Sequence, residues 1–349
     1  MKMNPIVKVT FGAGVAAALL FGSQSAKATL FAYEGFDYGV GNLAGQSGGS
    51  GWSAAWAQNG GNVANSQVIG SSFSFMDSLG NTLVTSGNRA WMTGDGSATG
   101  DNIGGANSSA SPLRTLTTIR GNSGLTESTW ISFLALRVGN PNPTPGAAPN
   151  DYLYGRAASV QLFYNATTTS TAQGNEQVSI GRGTQSSETV NTALPNDTWA
   201  VLQQGNANAT VASSLDFYTA PADFILMRID HVGANTNSPG DADTLRMWIN
   251  PTDLTVAPND ADAVIAFSSD LFAAAPQSVT RDFVFDRIRI FAGNGQTTPS
   301  GYSYGSIQLD ELRIADTFAD VTPYIVPEPA VAALLGFAGL AFVMRFRRK

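Results

Sequence analysis

The chain has one histidine, no cysteine and 26 acidic residues, so any proton-transfer chemistry would fall to carboxyl groups. A thiol nucleophile, a Cys-based zinc site and Cys-attached haem are excluded. Glycoside hydrolysis runs on carboxyls alone, and it needs two of them facing one another about 5–9 Å apart. Two pairs come near in sequence. Asp310 and Glu311 are adjacent, which on a regular strand sends them to opposite faces; Glu34 and Asp37 are three apart, which separates them as well. The expectation is a non-catalytic protein with no catalytic residue assigned. A Ser-His-Asp triad would have to use His231, and a hydrogen-bonded histidine at a strand end accounts for that residue more simply. Asp241 and Asp243 share one polar loop, and Asp95 and Asp101 another. Such loops supply oxygens of the kind calcium requires, so calcium at Asp241 and Asp243 is the one cofactor expected, with solvated turn acids as the plainer reading. Trp52 and Trp56 end a Gly-rich loop and could stack on sugar rings as a glycan contact, although large aromatics are more often core. The loop at 41–51 lacks the Lys and following helix of a phosphate cradle.

These residues sit in a chain that reads as all-β. Gly, Ser, Thr and Asn recur throughout, and short β-rich runs are separated by turn residues, the pattern of a sandwich or barrel. Strands are expected at 30–38, 90–93, 129–138, 158–164, 177–181, 199–202, 224–232, 244–249, 264–267, 283–291 and 306–315, with a strand pair within 63–75. The run TWISFLALRV at 129–138 is apolar on both sides at its centre, as an inner strand should be. In FVFDRIRIF, the set Val284, Asp286, Ile288 and Ile290 is apolar apart from Asp286 and is expected to face the core. Four prolines exclude ladder pairing from 140–150, and 317–323 reads as a linker.

Both ends differ from this body. Residues 1–28 carry Lys2 and Lys8, then a small apolar stretch, then Ala26-Lys27-Ala28, the layout of a secretory signal peptide cleaved after Ala28. Residues 323–349 form the other end: Pro327, Glu328 and Pro329, an uncharged apolar run at 330–344, and a basic stop of Arg345, Arg347, Arg348 and Lys349. At about 1.5 Å per residue this single hydrophobic helix reaches roughly 22 Å, short of a ~30 Å hydrocarbon core. Snorkelling arginines and local thinning make up the difference, and the cations fit the cytoplasmic side. The exported body, 29–322, then holds 12 Arg and no Lys against 25 acids, a net charge of −13. Nucleic acid and anionic membrane are poor partners for such a surface; calcium or neutral polysaccharide suits it better.

The tripartite tail resembles the PEP-CTERM sorting signal of Gram-negative bacteria. That resemblance implies a partner, an exosortase-type sorting enzyme, with Pro327, Glu328 and Pro329 as its recognition element. It also implies an intermediate anchored in the inner membrane and a final place at the cell surface or in the extracellular matrix. The opening FAYEGFDYGVGNLAGQSGGSGWSAAW, the middle LRMWINPTD and the closing LDELRI resemble the concanavalin A-like lectin/glucanase jelly rolls. This implies an all-β jelly-roll sandwich with a glycan-binding, adhesive or structural role. Glucanases of that fold carry a Glu-x-Asp-x-x-Glu motif on one strand; the nearest stretch here is Leu309-Asp310-Glu311.

Overall fold

The computed structural model describes residues 30–94, 109–137, 158–164, 176–182, 198–202, 211–216, 221–233, 242–269, 283–293, 296–298, 301–303 and 305–326. Outside them lie Ala26, Ala28, Asp95, Asp101, Asp241, Pro327, Glu328, Pro329, Arg345, Arg347, Arg348, Lys349 and the whole 140–150 loop.

Wherever a branched or aromatic residue alternates with a small polar one, the chain extends and pairs, since one face of each strand can then leave water. In chain order the first strands are β1 (Leu30–Glu34), β2 (Gly41–Asn42), β3 (Ala57–Gln58), β4 (Ser66–Ile69), β5 (Thr82–Leu83), β6 (Arg89–Thr93) and β7 (Pro112–Arg120). There follow β8 (Glu127–Arg137), β9 (Ala158–Phe163), β10 (Glu176–Arg182), β11 (Thr198–Leu202), β12 (Val211–Asp216), β13 (Asp223–His231) and β14 (Thr244–Ile249). The last are β15 (Ile265–Ser268), β16 (Phe285–Ala292), β17 (Gln296–Thr298), β18 (Gly301–Ser303), β19 (Ser306–Ala315) and β20 (Tyr324–Ile325); among the described residues one α-helix forms, α1 (Phe318–Val321).

Two antiparallel sheets make the sandwich, and the all-β jelly-roll expectation holds. One sheet runs β15-β14-β13-β8-β19-β6-β4-β2 with β1 also on β19; the other runs β12-β11-β10-β9-β16-β7-β3. Their inner faces share one core, in which Ile131, Phe133, Met227 and Ile314 of the first sheet meet Val160, Ile180, Trp199 and Ile288 of the second. Phe133 and Trp199 meet across the gap with ring centroids 6.3 Å apart. The first sheet is covered on its other face too. There Trp130, Leu134, Phe224 and Trp248 pack under Phe318 and Val321 of α1 and under Leu83.

Several elements depart from the sequence expectation. The opening strand stops at Glu34 because its carboxylate accepts the Phe36 amide, 2.9 Å away, and Phe36 turns to φ 50°. Glu34 is thereby buried while Asp37 is exposed. The region 63–75 contributes one strand, β4, after a 3-10 turn capped by Asn62. Strand β7 was not anticipated: it opens on Pro112, which needs no amide partner at a strand start, and it buries Arg114 and Arg120. The supposed linker contains α1, held by the Ser132 hydroxyl donating to the Val321 carbonyl at 2.7 Å. Pairing then continues past 322, because Tyr324 and Ile325 ladder with Leu83 and Thr82.

Two corrections share one cause. In β16 the register slips between Phe285 and Arg287. Phe283 and Phe285 therefore face the core on one side of the slip, and Ile288 and Ile290 on the other. In β19 the register slips between Asp310 and Arg313, and Glu311 adopts φ 55°. Leu309 and Leu312 both reach the core, so Asp310 and Glu311 are both turned off it rather than to opposite faces. Each slip is a β-bulge, an extra residue that resets the inside–outside count. The β19 bulge falls where this strand exchanges β6 for β1 as its neighbour, after Leu309 pairs with Ala90 and before Leu312 pairs with Glu34.

Candidate functional site

Three strands at the centre of the second sheet carry an ordered polar patch on the side away from the core. In β9, Val160 and Leu162 point in; in β10, Val178 and Ile180; in β16, Ile288 and Ile290. Antiparallel register then aligns the alternate residues in rows. Glu176, Phe163 and Arg287 form one row; Ser179, Gln161 and Arg289 the next; Gly181, Ser159 and Phe291 the third.

The rows are joined by directed hydrogen bonds. Arg289 Nε donates to Gln161 Oε1, Gln161 Nε2 donates to Ser179 Oγ at 2.9 Å, and Ser179 Oγ donates to Glu176 Oε1. Arg289 Nη2 lies 3.5 Å from Glu176 Oε2, and its guanidinium sits over Phe163 and Phe291 at 4.4 and 5.0 Å. Gln161, Glu176, Ser179 and Arg287 are each at most 5% exposed. Burial raises the Glu176 carboxyl above its ordinary range against the pull of Ser179 and Arg289. Burial likewise lowers the Arg289 guanidinium to about 10, with Glu176 opposing. Ser159 Oγ, fully buried, has no hydrogen-bond partner. An unmet buried hydroxyl costs about 1–3 kcal/mol. The sequence singled out none of these residues. The signal was there: Ser159 and Gln161, Gln177 and Ser179, and Arg287 and Arg289 take alternate positions around Val, Ile and Leu in their strands.

The residues that were singled out lie elsewhere. Trp56 is 1% exposed, so it offers no free ring to a sugar. Its indole N–H donates to Glu34 Oε2 at 2.9 Å, and the Tyr38 hydroxyl donates to the same oxygen at 2.8 Å. Arg114 completes this cluster with an ion pair to Glu34 and bonds to the Ala54 and Gly48 carbonyls at 2.9 and 2.7 Å. Trp52 is half-buried, donates to the Tyr33 carbonyl at 2.9 Å and lies 5.0 Å from the Arg114 guanidinium. Burial raises the Glu34 carboxyl, while Trp56, Arg114, Tyr38 and the Phe36 amide pull it back. This cluster clips the Gly-rich loop against β1. Gly51 permits it, because a side chain there would meet the Phe31 carbonyl at 1.7 Å.

Asp243 is not placed to hold calcium. Its oxygens take His231 Nδ1 at 2.9 Å, the Val232 amide at 2.9 Å and the Phe283 amide at 2.7 Å. Among the described residues no cluster of three or more His, Asp and Glu side chains could hold a metal ion. His231 does meet a hydroxyl and a carboxylate, since its Nε2 lies 3.0 Å from Thr129 Oγ1. That hydroxyl also accepts from Arg120 Nε and Nη2 at 3.3 and 3.2 Å. The trio has the order of a nucleophile, base and orienter. Thr129, His231 and Asp243 are all 2% exposed or less, and the hydroxyl's acceptor capacity is taken by arginine. The arrangement fastens β8, β13 and the start of β14 together, with His231 at the end of its strand.

Asp310 and Glu311 are likewise inside the fold. Asp310 accepts the Phe73 amide at 2.8 Å and the Ser72 hydroxyl; Glu311 accepts the Ser86 amide and the Tyr33 hydroxyl and pairs with Arg313. Burial raises both carboxyls, that of Asp310 to about 8, with Glu311 adding to the shift.

No protein-family model and no curated protein matches the chain. Solved structures do. An endo-β-1,4-glucuronan lyase from the fungus Trichoderma reesei superposes with TM-score 0.41 at 12% identity, covering 81% of this chain and 97% of that one. The globular domain of T. cruzi calreticulin gives 0.39 at 9%, covering 83% and 89%. The alginate lyase Aly36B gives 0.37 at 8%, covering 81% and 95%.

Proposed function

We propose that the chain is an exported, envelope- or matrix-associated binding protein without catalytic activity, and that it takes a neutral glycan on the polar face of β9, β10 and β16. The observation that carries this is the partly exposed pair Arg289 and Phe291, through which the otherwise buried polar row of Gln161, Ser179 and Glu176 meets solvent. Hydroxyl, amide and guanidinium groups next to aromatic edges are the groups that hold sugar hydroxyls. The body's net charge of −13 disfavours polyanions. Delivery rests on the tail signal at Pro327, Glu328 and Pro329, read by an exosortase-type enzyme.

Binding is tested on a glycan array with the full chain and with Gln161→Ala and Arg289→Ala, with and without calcium. Loss of a neutral-glycan signal in both variants supports the site. Uniform absence of binding by the unaltered chain rejects it in favour of a purely structural role. For the tail, alanines at 327–329 should leave export intact and block processing; unchanged maturation in the native host counts against the sorting reading. A cleaving enzyme is the second reading. It draws on Glu176, whose carboxyl burial raises, and on Asp286 of the same strand group, paired with Arg287 at 2.8 Å. Release of shortened sugar from a bound glycan would establish it.

A further inference from the structure

The described chain ends on an apolar surface. Ile325 pairs with Thr82, and Thr82 bridges to Met76, so these three side chains share one face of a small antiparallel patch. Ile325 is 60% exposed, Met76 65%, Val326 52%, and Leu79, at the turn between Met76 and Thr82, 64%. Within 76–84 and 323–326 the single charged residue is Asp77. Its carboxylate is turned inward and taken by the Leu79, Asn81 and Leu254 amides at 2.8–2.9 Å. On a body of net charge −13, four large apolar side chains around an uncharged turn are a distinct surface.

Its position is the second observation. The apolar run begins at Ala330, four residues beyond Val326, and a fully extended chain covers at most about 14 Å in that distance. Pro327 and Pro329 are two of the three intervening residues, and their sequence signal disfavours a helix before Ala330. We propose that Met76, Leu79, Ile325 and Val326 form a contact with the lipid surface, which holds the body against the bilayer while the tail is inserted. This rests on the membrane reading of the tail given above. Four side chains are too few to cover a 15-residue apolar run or to bind lipid alone. Tethered within one linker length of the interface, they act at a high effective concentration and need little intrinsic affinity.

The absence of cysteine supplies the test. Single cysteines at Leu79→Cys and Leu125→Cys are labelled with an environment-sensitive fluorophore in the full chain. Leu125 is 68% exposed and precedes the Glu127 end of β8, which pairs with His231. The turn bearing Leu79 is tied through Ser78 and Asp77 to Thr252 and Leu254, just past Ile249, at the other end of β13. The chain is reconstituted in phosphatidylcholine vesicles containing a lipid-borne quencher, and insertion is checked by flotation after carbonate extraction. The expected result is quenching at 79 several-fold greater than at 125 in chain that floats. Equal, weak quenching at both positions in floating chain overturns the contact and leaves the tail reading standing. Chain that does not float overturns both. Protection of 79 from aqueous iodide without lipid, in a monomer or in a dimer, assigns the surface to the tail or to a second copy and also overturns it.

Discussion

Removing Arg114 should expose what the Glu34 cluster is worth. Arg114 and Glu34 are 2% or less exposed and form an ion pair between β7 and β1, one strand in each sheet. Breaking a buried pair from one side costs about 3–5 kcal/mol, because a charge is left without its partner. Arg114→Met leaves Glu34 with the Trp56, Tyr38 and Phe36 donors, which places the loss near the lower end, about 3 kcal/mol. Glu34→Gln leaves the guanidinium with two carbonyls and the Tyr38 hydroxyl and should cost about as much. The double variant removes both charges, so its loss should fall short of the sum by about 2 kcal/mol. Urea unfolding read by tryptophan fluorescence measures all three, since Trp52 and Trp56 sit in the cluster. A pH series adds an independent sign. Burial already holds the Glu34 carboxyl up, and without Arg114 it rises further. A carboxyl raised in the folded state keeps its proton where the unfolded chain has lost it. Its stabilising effect is therefore present at low pH and is lost as pH rises through the folded value, by at most about 1.4 kcal/mol per pH unit. Arg114→Met should thus lose more stability at pH 8 than at pH 5, relative to the unaltered chain. Additive single losses within about 0.5 kcal/mol, with no pH difference, would refute the coupling.

Asp310, raised to about 8 by burial, should make stability fall as pH rises from about 4 to 8, and Asp310→Asn should flatten that slope in urea midpoints taken at pH 5, 6.5 and 8. Gly121→Ala, at φ 74° with His231 Nδ1 2.7 Å from the new methyl, should cost about 2–3 kcal/mol. Gly60→Ala, at φ 77° in open space, should cost about 1 kcal/mol, and urea unfolding reads both. Phe318→Ala, which strips an edge-on ring from Trp130, should cost about 3 kcal/mol and confirm that α1 is part of the folded body; a change under about 0.5 kcal/mol would return the segment to the role of a linker.

Period-two alternation made much of this fold legible. Strands β14 and β19 fall on the residues 244–249 and 306–315 read from sequence, because their Leu, Met and Ile spacing matches the pleat throughout or nearly so. Strand β7 escaped notice, since Arg114, Thr115, Thr117, Thr118 and Arg120 interrupt its apolar count, and the partners that make those residues affordable come from distant segments. The polar patch escaped for a related reason. Gln161, Ser179 and Arg289 come from three strands spread over 129 positions, and only register lines them up.

By itself the amino-acid order determined an all-β body between two unlike ends, the absence of thiol chemistry, and a surplus of negative charge. These follow from local periodicity and composition, which need no knowledge of what lies across the sheet. Which faces Asp286, Arg287, Asp310 and Glu311 take was decided only in the tertiary structure, where two bulges reset the alternation. The burial of Trp56, His231 and Asp243 was decided there as well, because a partner 11 to 102 positions away must first be folded into reach before a polar group can leave water.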